Sequence, residues 1–141
     1  MRVLFICTAN SCRSQMAEAW GRHLFPADWE VQSAGLLIYR ITSRTREAMR
    51  EVGIDMEGQE PKTFDRFDLD SFDRVVTLSE EAGRYLPLLA DPSRHLARPI
   101  DDPVAARVTD EEVTAAFRKS RDQIREIVAS LLPSDHQEKD V

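Results

Sequence analysis

The sequence predicts a single α/β domain built on a small four-stranded parallel sheet with flanking helices. Short apolar runs alternate with segments whose apolar residues recur at helical spacing, a pattern typical of repeated strand–helix units. The length of 141 residues fits one domain. A loop that begins with cysteine and ends with arginine, residues 7–13, separates the first apolar run from the first helical pattern. We expect the domain to occupy residues 1–133 and the polar tail, residues 134–141, to be disordered.

The first half of the chain predicts two strands and two helices. Val3 to Ile6 is short and wholly apolar, so we expect a buried strand. Alternation over residues 29–33 predicts the second strand, and residues 43–52 predict a helix that Ser43 caps and Gly53 ends. The helix after the first strand is indicated by four apolar residues at helical spacing: Met16, Ala17, Trp20 and Leu24.

The second half supplies the remaining two strands. Residues 67–72 predict a short helix, and residues 74–78 predict a third strand buried on both faces. A helix over residues 80–89 and a short strand over residues 95–100 follow. A C-terminal helix is predicted from a capping box and an apolar stripe, which comprise Thr109, Glu112, Val113, Phe117, Ile124, Val128 and Leu131.

The cysteine loop, residues 7–13, has the spacing C-x5-R in a strand-to-helix turn, which suits an oxyanion. Amide hydrogens at a helix start have no intrahelical acceptor, and the helix dipole adds positive charge, so the backbone can hold a tetrahedral dianion. Arg13 adds a bidentate guanidinium fork. We expect substrate binding by six further residues: Thr8, Ala9, Asn10, Ser11, Cys12 and Ser14.

Cys7 makes this loop reactive as well as anion-binding. A thiol beside an arginine at a helix N-terminus can lose its proton at neutral pH, and the thiolate is a nucleophile. Ser11 and Ser14 can donate hydroxyl hydrogen bonds to the sulfur, and Asn10 tolerates the left-handed backbone of a tight loop. The alternative is a buried structural cysteine near a capping serine, which the order of strand, loop and helix disfavours.

The stretch from Val3 to Glu18 resembles the signature of the low-molecular-weight protein tyrosine phosphatase superfamily. Its second half, SCRSQMAE, is more similar to the arsenate reductase branch, because the phosphatases usually carry proline where Gln15 stands. The resemblance implies a small parallel sheet with a phosphate-binding loop at the carboxyl end of the first strand. It covers nearly the whole chain, through QSAG at residues 32–35, EAMREVGID at 47–55, VVTL at 75–78 and DDP at 101–103.

Asp101-Asp102-Pro103 carries the second chemical candidate. Cleavage through a cysteine-bound intermediate needs a general acid for the leaving oxygen, and Pro103 restricts Asp102 to extended backbone. By resemblance, Asp102 takes the place of that acid, so the implied catalytic residues are Cys7, Arg13 and Asp102. Without the cysteine loop, the same residues would be an ordinary Asp-Pro turn.

The chain departs from the thioredoxin-coupled reductases where those enzymes carry a cysteine relay. The counterparts of the two relay cysteines, after the third strand and two helical turns later, are Ser79 and Leu86. A reductase built on this chain therefore needs an external thiol, such as glutathione, mycothiol or a glutaredoxin-like protein. By resemblance, Cys12 pairs with Cys7 after oxidation; alternatively, Cys12 only packs the loop.

A second departure concerns a cation. Some family members bind potassium beside the loop through the counterparts of Asn10, Glu18 and Ser33, with an acidic residue where this chain has Lys62. The Lys62 ammonium would supply the positive charge itself, so we expect no bound cation. The alternative for Lys62 is a solvated loop charge.

Two positions distinguish reductase from phosphatase. The phosphatases place an aromatic wall in the loop after the second strand, so Tyr39 favours a phosphatase. The tyrosine that usually follows their Asp-Pro pair is replaced by Val104, which favours a reductase. The resemblance of the individual segments favours arsenate reductase, with protein tyrosine phosphatase as the alternative. A non-catalytic anion-binding protein is disfavoured, because binding alone does not require Cys7.

Composition restricts the partners. The net charge of −6 argues against nucleic acid, and no stretch is apolar enough for a membrane span or a signal peptide. We therefore expect a monomeric cytoplasmic protein that acts on a small oxyanion or a phosphotyrosine protein, with a redoxin as a further partner. No cofactor is expected to be bound. No metal is expected either, since the three histidines, His23, His95 and His136, lack ligand spacing.

Overall fold

A computed structural model of the chain describes residues 1–104 and 109–133. Its four strands form one parallel sheet, as predicted, and the structure gives their order as β2-β1-β3-β4. The strands are β1 (Arg2–Cys7), β2 (Glu30–Gly35), β3 (Arg74–Thr77) and β4 (His95–Ala97). The helices are α1 (Arg13–Leu24), α2 (Ser43–Arg50), α3 (Glu80–Tyr85) and α4 (Asp110–Ala129), with 3₁₀ turns at Phe64–Arg66, Leu69–Ser71 and Pro92–Arg94.

The strand order positions the cysteine loop. The chain leaves β1 toward β2 on one side and returns to β3 on the other, so the segments after β1 and β3 diverge and leave a crevice. In open parallel sheets, ligands bind in such a crevice at the carboxyl ends of the strands. Cys7 is the last residue of β1 and lies at this crevice.

Both faces of the sheet are covered, which explains why β1 is apolar from Val3 to Ile6. Val3 and Phe5 face the larger core, which includes α1 and α4, whereas Leu4 and Ile6 face a smaller one with Phe72. Strand β1 is thereby fixed from both sides, so that Cys7 projects from a rigid element. No helix in the described ranges is both long enough and apolar enough to cross a membrane.

Several predicted boundaries are wrong in detail. The second strand lies over Glu30–Gly35 rather than residues 29–33, and β4 ends at Ala97. Helix α2 ends at Arg50, two residues before the predicted end, and Gly53 follows with a φ of 80°. Its cap is Thr42, not Ser43, because the Thr42 hydroxyl accepts the Thr45 amide.

Two predicted helices are replaced or shortened. Residues 67–72 hold one 3₁₀ turn, Leu69–Ser71, because the backbone of Phe67, Asp68 and Phe72 is extended. Helix α3 ends at Tyr85 instead of residue 89, since Leu86 precedes a proline and is extended. The predicted cap of α4 is confirmed: the Thr109 hydroxyl accepts the Glu112 amide at 3.1 Å. The expected disordered tail, residues 134–141, lies outside the described residues.

Candidate active site

The cysteine loop is an open cradle of backbone amides. Asn10 has a φ of 52°, the left-handed conformation expected of it. Cys12 precedes α1 without a side-chain cap. Within the described ranges, the amide hydrogens of residues 8–12 have no protein acceptor. These donors and the N-terminus of α1 are therefore available to an oxyanion.

The sulfur of Cys7 is held by one residue of α1. The Ser14 hydroxyl lies 2.9 Å from Sγ, and the Ser14 amide donates to the same sulfur at 3.4 Å. Cys7 itself is buried. Ser11 does not repeat this contact: its carbonyl accepts from Thr45, and in the described part of the chain its hydroxyl makes no hydrogen bond to Cys7.

Asn10 determines which way the Ser14 hydroxyl points. The Asn10 amide group donates from Nδ2 to Ser14 at 2.7 Å and to Ser33 at 3.1 Å. Its Oδ1 is occupied by Gln15 Nε2 at 2.9 Å and the Lys62 amide at 2.8 Å. Since Ser14 Oγ accepts from Asn10, its own proton is free to donate to the Cys7 sulfur.

Arg13 is the first residue of α1 and is 9% exposed. Its Nη1 donates to the carbonyl oxygen of Ile100 at 3.0 Å, so one end of the guanidinium is fixed to the segment after β4. Because a guanidinium has five N–H donors, this bond leaves others available to a substrate. This bond thus orients the Arg13 guanidinium and leaves its other N–H donors for a substrate.

Asp102 lines the same cavity as Arg13. Its Oδ1 accepts the Val104 amide at 3.0 Å, which orients the carboxylate within its own turn. A cavity of about 370 Å³ brings Asp102 together with Cys7 and Arg13; Asp101 does not line it but lines a neighbouring cavity. The first cavity is completed by Thr8, Ala9, Ser11, Cys12, Tyr39, Thr42, Val104 and Phe117.

The flanking loop, residues 36–39, forms another wall and is paired with the cysteine loop through the backbone. Three amides of the flanking loop donate to carbonyls of the cysteine loop at 2.9 to 3.2 Å: Leu36 to Cys7, Leu37 to Thr8 and Tyr39 to Ala9. Gly35 permits this approach, because a Cβ there would lie 2.5 Å from the Leu37 oxygen. Tyr39 lines the cavity from this loop and is 57% exposed.

Cys12 has a different environment from that of Cys7. Burial raises the pKa of the Cys12 thiol to about 12, and a hydrogen bond with the Thr45 side chain offsets only part of that shift. At neutral pH this residue is a neutral thiol. It lines the same cavity as Cys7 and so stays within the substrate site.

Ser79 occupies the position of the first relay cysteine of the thioredoxin-coupled reductases. Its hydroxyl accepts from Thr8 Oγ1 at 3.0 Å and also caps α3, and Glu81 Oε2 lies 3.3 Å from Thr8 Oγ1. A hydrogen bond from its own backbone amide is the main cause of a lowered pKa of the Glu81 carboxyl. The hydrogen bond from Thr8 and the charge of nearby Arg13 lower it further. The position thus holds a polar network in place of a thiol.

Lys62 does not line the cavity that contains Cys7; its side chain lies beside Glu18 of α1. Its Nζ is 3.8 Å from Oε1 of Glu18, a fully buried carboxylate that also accepts from Ser33 and Arg22. The ammonium therefore lies beside the residues that the family resemblance associates with a cation. Among the described residues, no group of three or more His, Cys, Asp or Glu side chains could hold a metal ion.

Sequence reasoning missed four contributors to the site. Thr42 and Phe117 line the cavity, Glu81 contacts Thr8, and Gln15 fixes Asn10. Phe117 had a periodicity signal, but that signal indicated only the core. The others are brought to the loop by contacts between distant segments, or by a side-chain amide that no motif distinguishes.

Comparison with known proteins gives a consistent result. Residues 2–137 match the family described as low molecular weight phosphotyrosine protein phosphatase. An arsenate reductase of Halalkalibacterium halodurans is 41% identical over 122 residues, which are 86% of this chain and 88% of that protein. An arsenate reductase of Bacillus subtilis is 38% identical over the same shares.

Solved structures agree. A structure described as an arsenate reductase in the phosphate binding state superposes with a TM-score of 0.76 and 32% identity, covering 92% of this chain and 95% of the other. A low molecular weight protein tyrosine phosphatase from T. tengcongensis gives a TM-score of 0.75 at 24% identity, covering 100% and 99%. The second likeness is one of fold.

Proposed function

The chain belongs to the low molecular weight phosphotyrosine protein phosphatase family, and we propose that it is an arsenate reductase whose reaction is completed by an external thiol. The observation that carries this proposal is the single cavity shared by Cys7, Arg13 and Asp102. Arsenate reductases at 35–41% identity over most of the chain favour that substrate.

In the first step, the Cys7 thiolate attacks the arsenic of bound arsenate. A sulfur–arsenic bond forms, an arsenic–oxygen bond breaks, and the oxygen leaves as water with a proton from Asp102. Arg13 and the loop amides hold the remaining oxygens as negative charge redistributes. The product of this step is arsenate bound to Cys7 with arsenic still in its oxidised state.

In the second step, an external thiolate attacks the Cys7 sulfur. A disulfide forms between the two sulfurs, and the electron pair of the sulfur–arsenic bond leaves with arsenic, which departs as arsenite. A second external thiol then frees Cys7. The external thiol is required because Ser79 lies beside the loop and supplies no sulfur. Glutathione, mycothiol or a redoxin would satisfy this chemistry.

Protein tyrosine phosphatase activity is the second candidate, and Tyr39 is the observation that favours it. Its exposed ring on the cavity wall can stack on a phosphotyrosine ring. The same groups would then transfer phosphate to Cys7 and on to water. We further propose that the protein is active as a monomer, since one chain supplies the whole cavity, and cytoplasmic, since a reactive thiolate needs a reducing compartment.

The deciding experiment offers arsenate to the purified protein with thioredoxin, with glutathione plus glutaredoxin, and with mycothiol plus its redoxin. A phosphotyrosine peptide is assayed in parallel. We expect arsenite with a low-molecular-weight thiol system, no coupling to thioredoxin, and no turnover in Cys7→Ser. Robust peptide dephosphorylation without arsenite under any thiol would instead favour the phosphatase.

A further inference from the structure

Glu18 is a carboxylate in α1 with no access to solvent, and the reaction as described does not use it. A buried carboxylate is unfavourable unless it is paired and hydrogen-bonded. Ser33 donates to its Oε1 at 2.7 Å, and Lys62 Nζ lies 3.8 Å from the same oxygen. Arg22 donates to the other oxygen, Oε2, at 2.7 Å. Two cations and one hydroxyl therefore hold this single carboxylate.

This cluster is connected to the nucleophile by hydrogen bonds of defined direction. A carboxylate only accepts, so the Ser33 proton points to Glu18, and Ser33 Oγ is left to accept from Asn10 Nδ2. The second hydrogen of that amide goes to Ser14, whose own proton is then available to Cys7. Glu18 thus sets the direction of the Ser33 proton, while the Asn10 amide, whose Oδ1 accepts from Gln15 and the Lys62 amide, donates to both serines.

The two cations on Glu18 are not equivalent. The side chain of Arg22 is 54% exposed and contacts the oxygen that Ser33 does not use. The side chain of Lys62 is 13% exposed; its Nζ donates to the Glu60 carbonyl at 3.0 Å and lies 3.8 Å from the oxygen that Ser33 does use. Water screens a charge less in a poorly solvated position. The Lys62 ammonium therefore has a stronger electrostatic effect than Arg22 on Ser33 and on the hydrogen bonds from Ser33 to Cys7. Its own backbone amide also fixes Asn10.

We propose that Lys62 is a positioning residue for Cys7: its ammonium, acting through Glu18, Ser33 and Asn10, keeps the Ser14 proton directed at the Cys7 sulfur. This inference rests on the proposed function only in taking Cys7 as the nucleophile. It does not depend on whether arsenate or a phosphate ester is the substrate.

The test measures the thiolate of Cys7 directly. Iodoacetamide alkylation of Cys7 is followed at pH 6.0 and pH 9.5, and the modified sulfur is located by fragment-ion mass spectrometry. Steric access of the reagent to the sulfur is the same at both pH values and cancels in the ratio of the two rates. The ratio therefore measures how the fraction of Cys7 present as thiolate changes with pH. The other charged or titratable groups facing Cys7, none of which is altered, are Cys12, Arg13 and Asp102, with Glu81 beyond Thr8.

We expect Lys62→Met to lower the rate at pH 6.0 relative to pH 9.5 by about three- to tenfold, where tenfold corresponds to one pH unit in thiolate titration. Lys62→Arg restores the charge and should stay within about twofold of wild type. Arg22→Met is the matched control, since it removes a cation from the same carboxylate on the solvent side, and we expect less than about a twofold change.

Aryl phosphate turnover gives a second readout. Because Arg13 and the loop amides are untouched, Lys62→Met should lower kcat at pH 6.0 and leave KM within about twofold. If Lys62→Met does not fold by circular dichroism, Lys62→Gln replaces it with the same expectations.

An unchanged alkylation ratio in Lys62→Met would overturn the proposal, as would an equal fall in Arg22→Met or no restoration by Lys62→Arg. Alkylation does not involve arsenate. The expected ratios in an enzyme that makes no arsenite would therefore refute the proposed reductase and leave the role of Lys62 standing.

Discussion

Arg13 Nη1 and the carbonyl oxygen of Ile100 are joined by a hydrogen bond of 3.0 Å. This bond links the oxyanion fork to the segment that leads into Asp102, two residues further on. Movement of the acid-bearing loop is therefore coupled to the orientation of the guanidinium. The two groups that we propose act on one substrate are thus connected through Ile100.

Arg13→Lys should lower turnover about 100-fold or more. An ammonium cannot both hold Ile100 and make a planar two-point contact with the oxyanion. Steady-state kinetics with an aryl phosphate measure the effect, and Arg98→Lys, at an exposed arginine nearby, is the control. Activity retained in Arg13→Lys would make Arg13 a structural residue only.

Asp102→Asn should lower turnover by about 10²- to 10⁴-fold on phenyl phosphate, the usual contribution of a general acid. With p-nitrophenyl phosphate the loss should shrink, because that leaving group departs without a proton. Asp101→Asn is the matched control, since Asp101 lies outside the cavity that contains Cys7. Our assignment is wrong if the leaving-group dependence appears in the Asp101 variant instead.

Cys12→Ser should make Cys7 more prone to irreversible oxidation by peroxide. A neighbouring thiol can capture the Cys7 sulfenic acid as a disulfide and so prevent further oxidation. The raised pKa of Cys12 makes its thiol a slow partner, so the disulfide should form faster as pH rises. Intact-mass analysis of sulfinic and sulfonic products at pH 7 and pH 9 checks both points. Equal yields in wild type and variant would leave Cys12 a packing residue.

Glu51→Gln should lower the melting temperature at neutral pH. Arg118 and Arg121 of α4 hold the pKa of the Glu51 carboxyl at about 2, below its ordinary value of 4.5. A lowered native pKa stabilises the protein above the unfolded value, and this contribution is lost as pH falls from about 4.5 toward 2. The difference between variant and wild type should therefore narrow between pH 5 and pH 3 in thermal denaturation. Glu57→Gln, in an exposed turn, is the control.

Potassium should not activate the enzyme, because the Lys62 ammonium lies beside Glu18. Exchange of potassium chloride for tetramethylammonium chloride at constant ionic strength should change turnover by less than about twofold. Sodium chloride serves as the second comparison. Saturable activation by potassium alone would contradict this expectation.

The sequence predicted the sheet and the cysteine loop well because both depend on local patterns. Strand β1 is a continuous apolar run, and the loop lies directly between that strand and α1. The predicted helix over residues 67–72 was wrong for a different reason. Phe67 and Phe72 are five residues apart, not three or four as on one helix face, and each is an extended residue that follows a separate 3₁₀ turn and packs on the sheet.

Contacts between distant segments account for the remainder of the site. Lys62 is 52 residues from Asn10 in sequence, yet its backbone amide donates to the Asn10 side chain and its ammonium lies 3.8 Å from Glu18. Glu81 reaches Thr8 from α3 across the crevice. Asp102 was identified only through family resemblance, because an Asp-Pro turn by itself has no chemical signature.

The backbone pairing of the flanking loop with the cysteine loop separates selectivity from chemistry. Leu36, Leu37 and Tyr39 are positioned by their main-chain amides, so their side chains can be exchanged without shifting Cys7. A library randomised at residues 37–39 should therefore change which esters or oxyanions are accepted while the nucleophile stays competent. Gly35 is the exception, since any larger residue there would force the two loops apart. In directed evolution, the flanking loop is thus the position from which one scaffold could acquire new substrates.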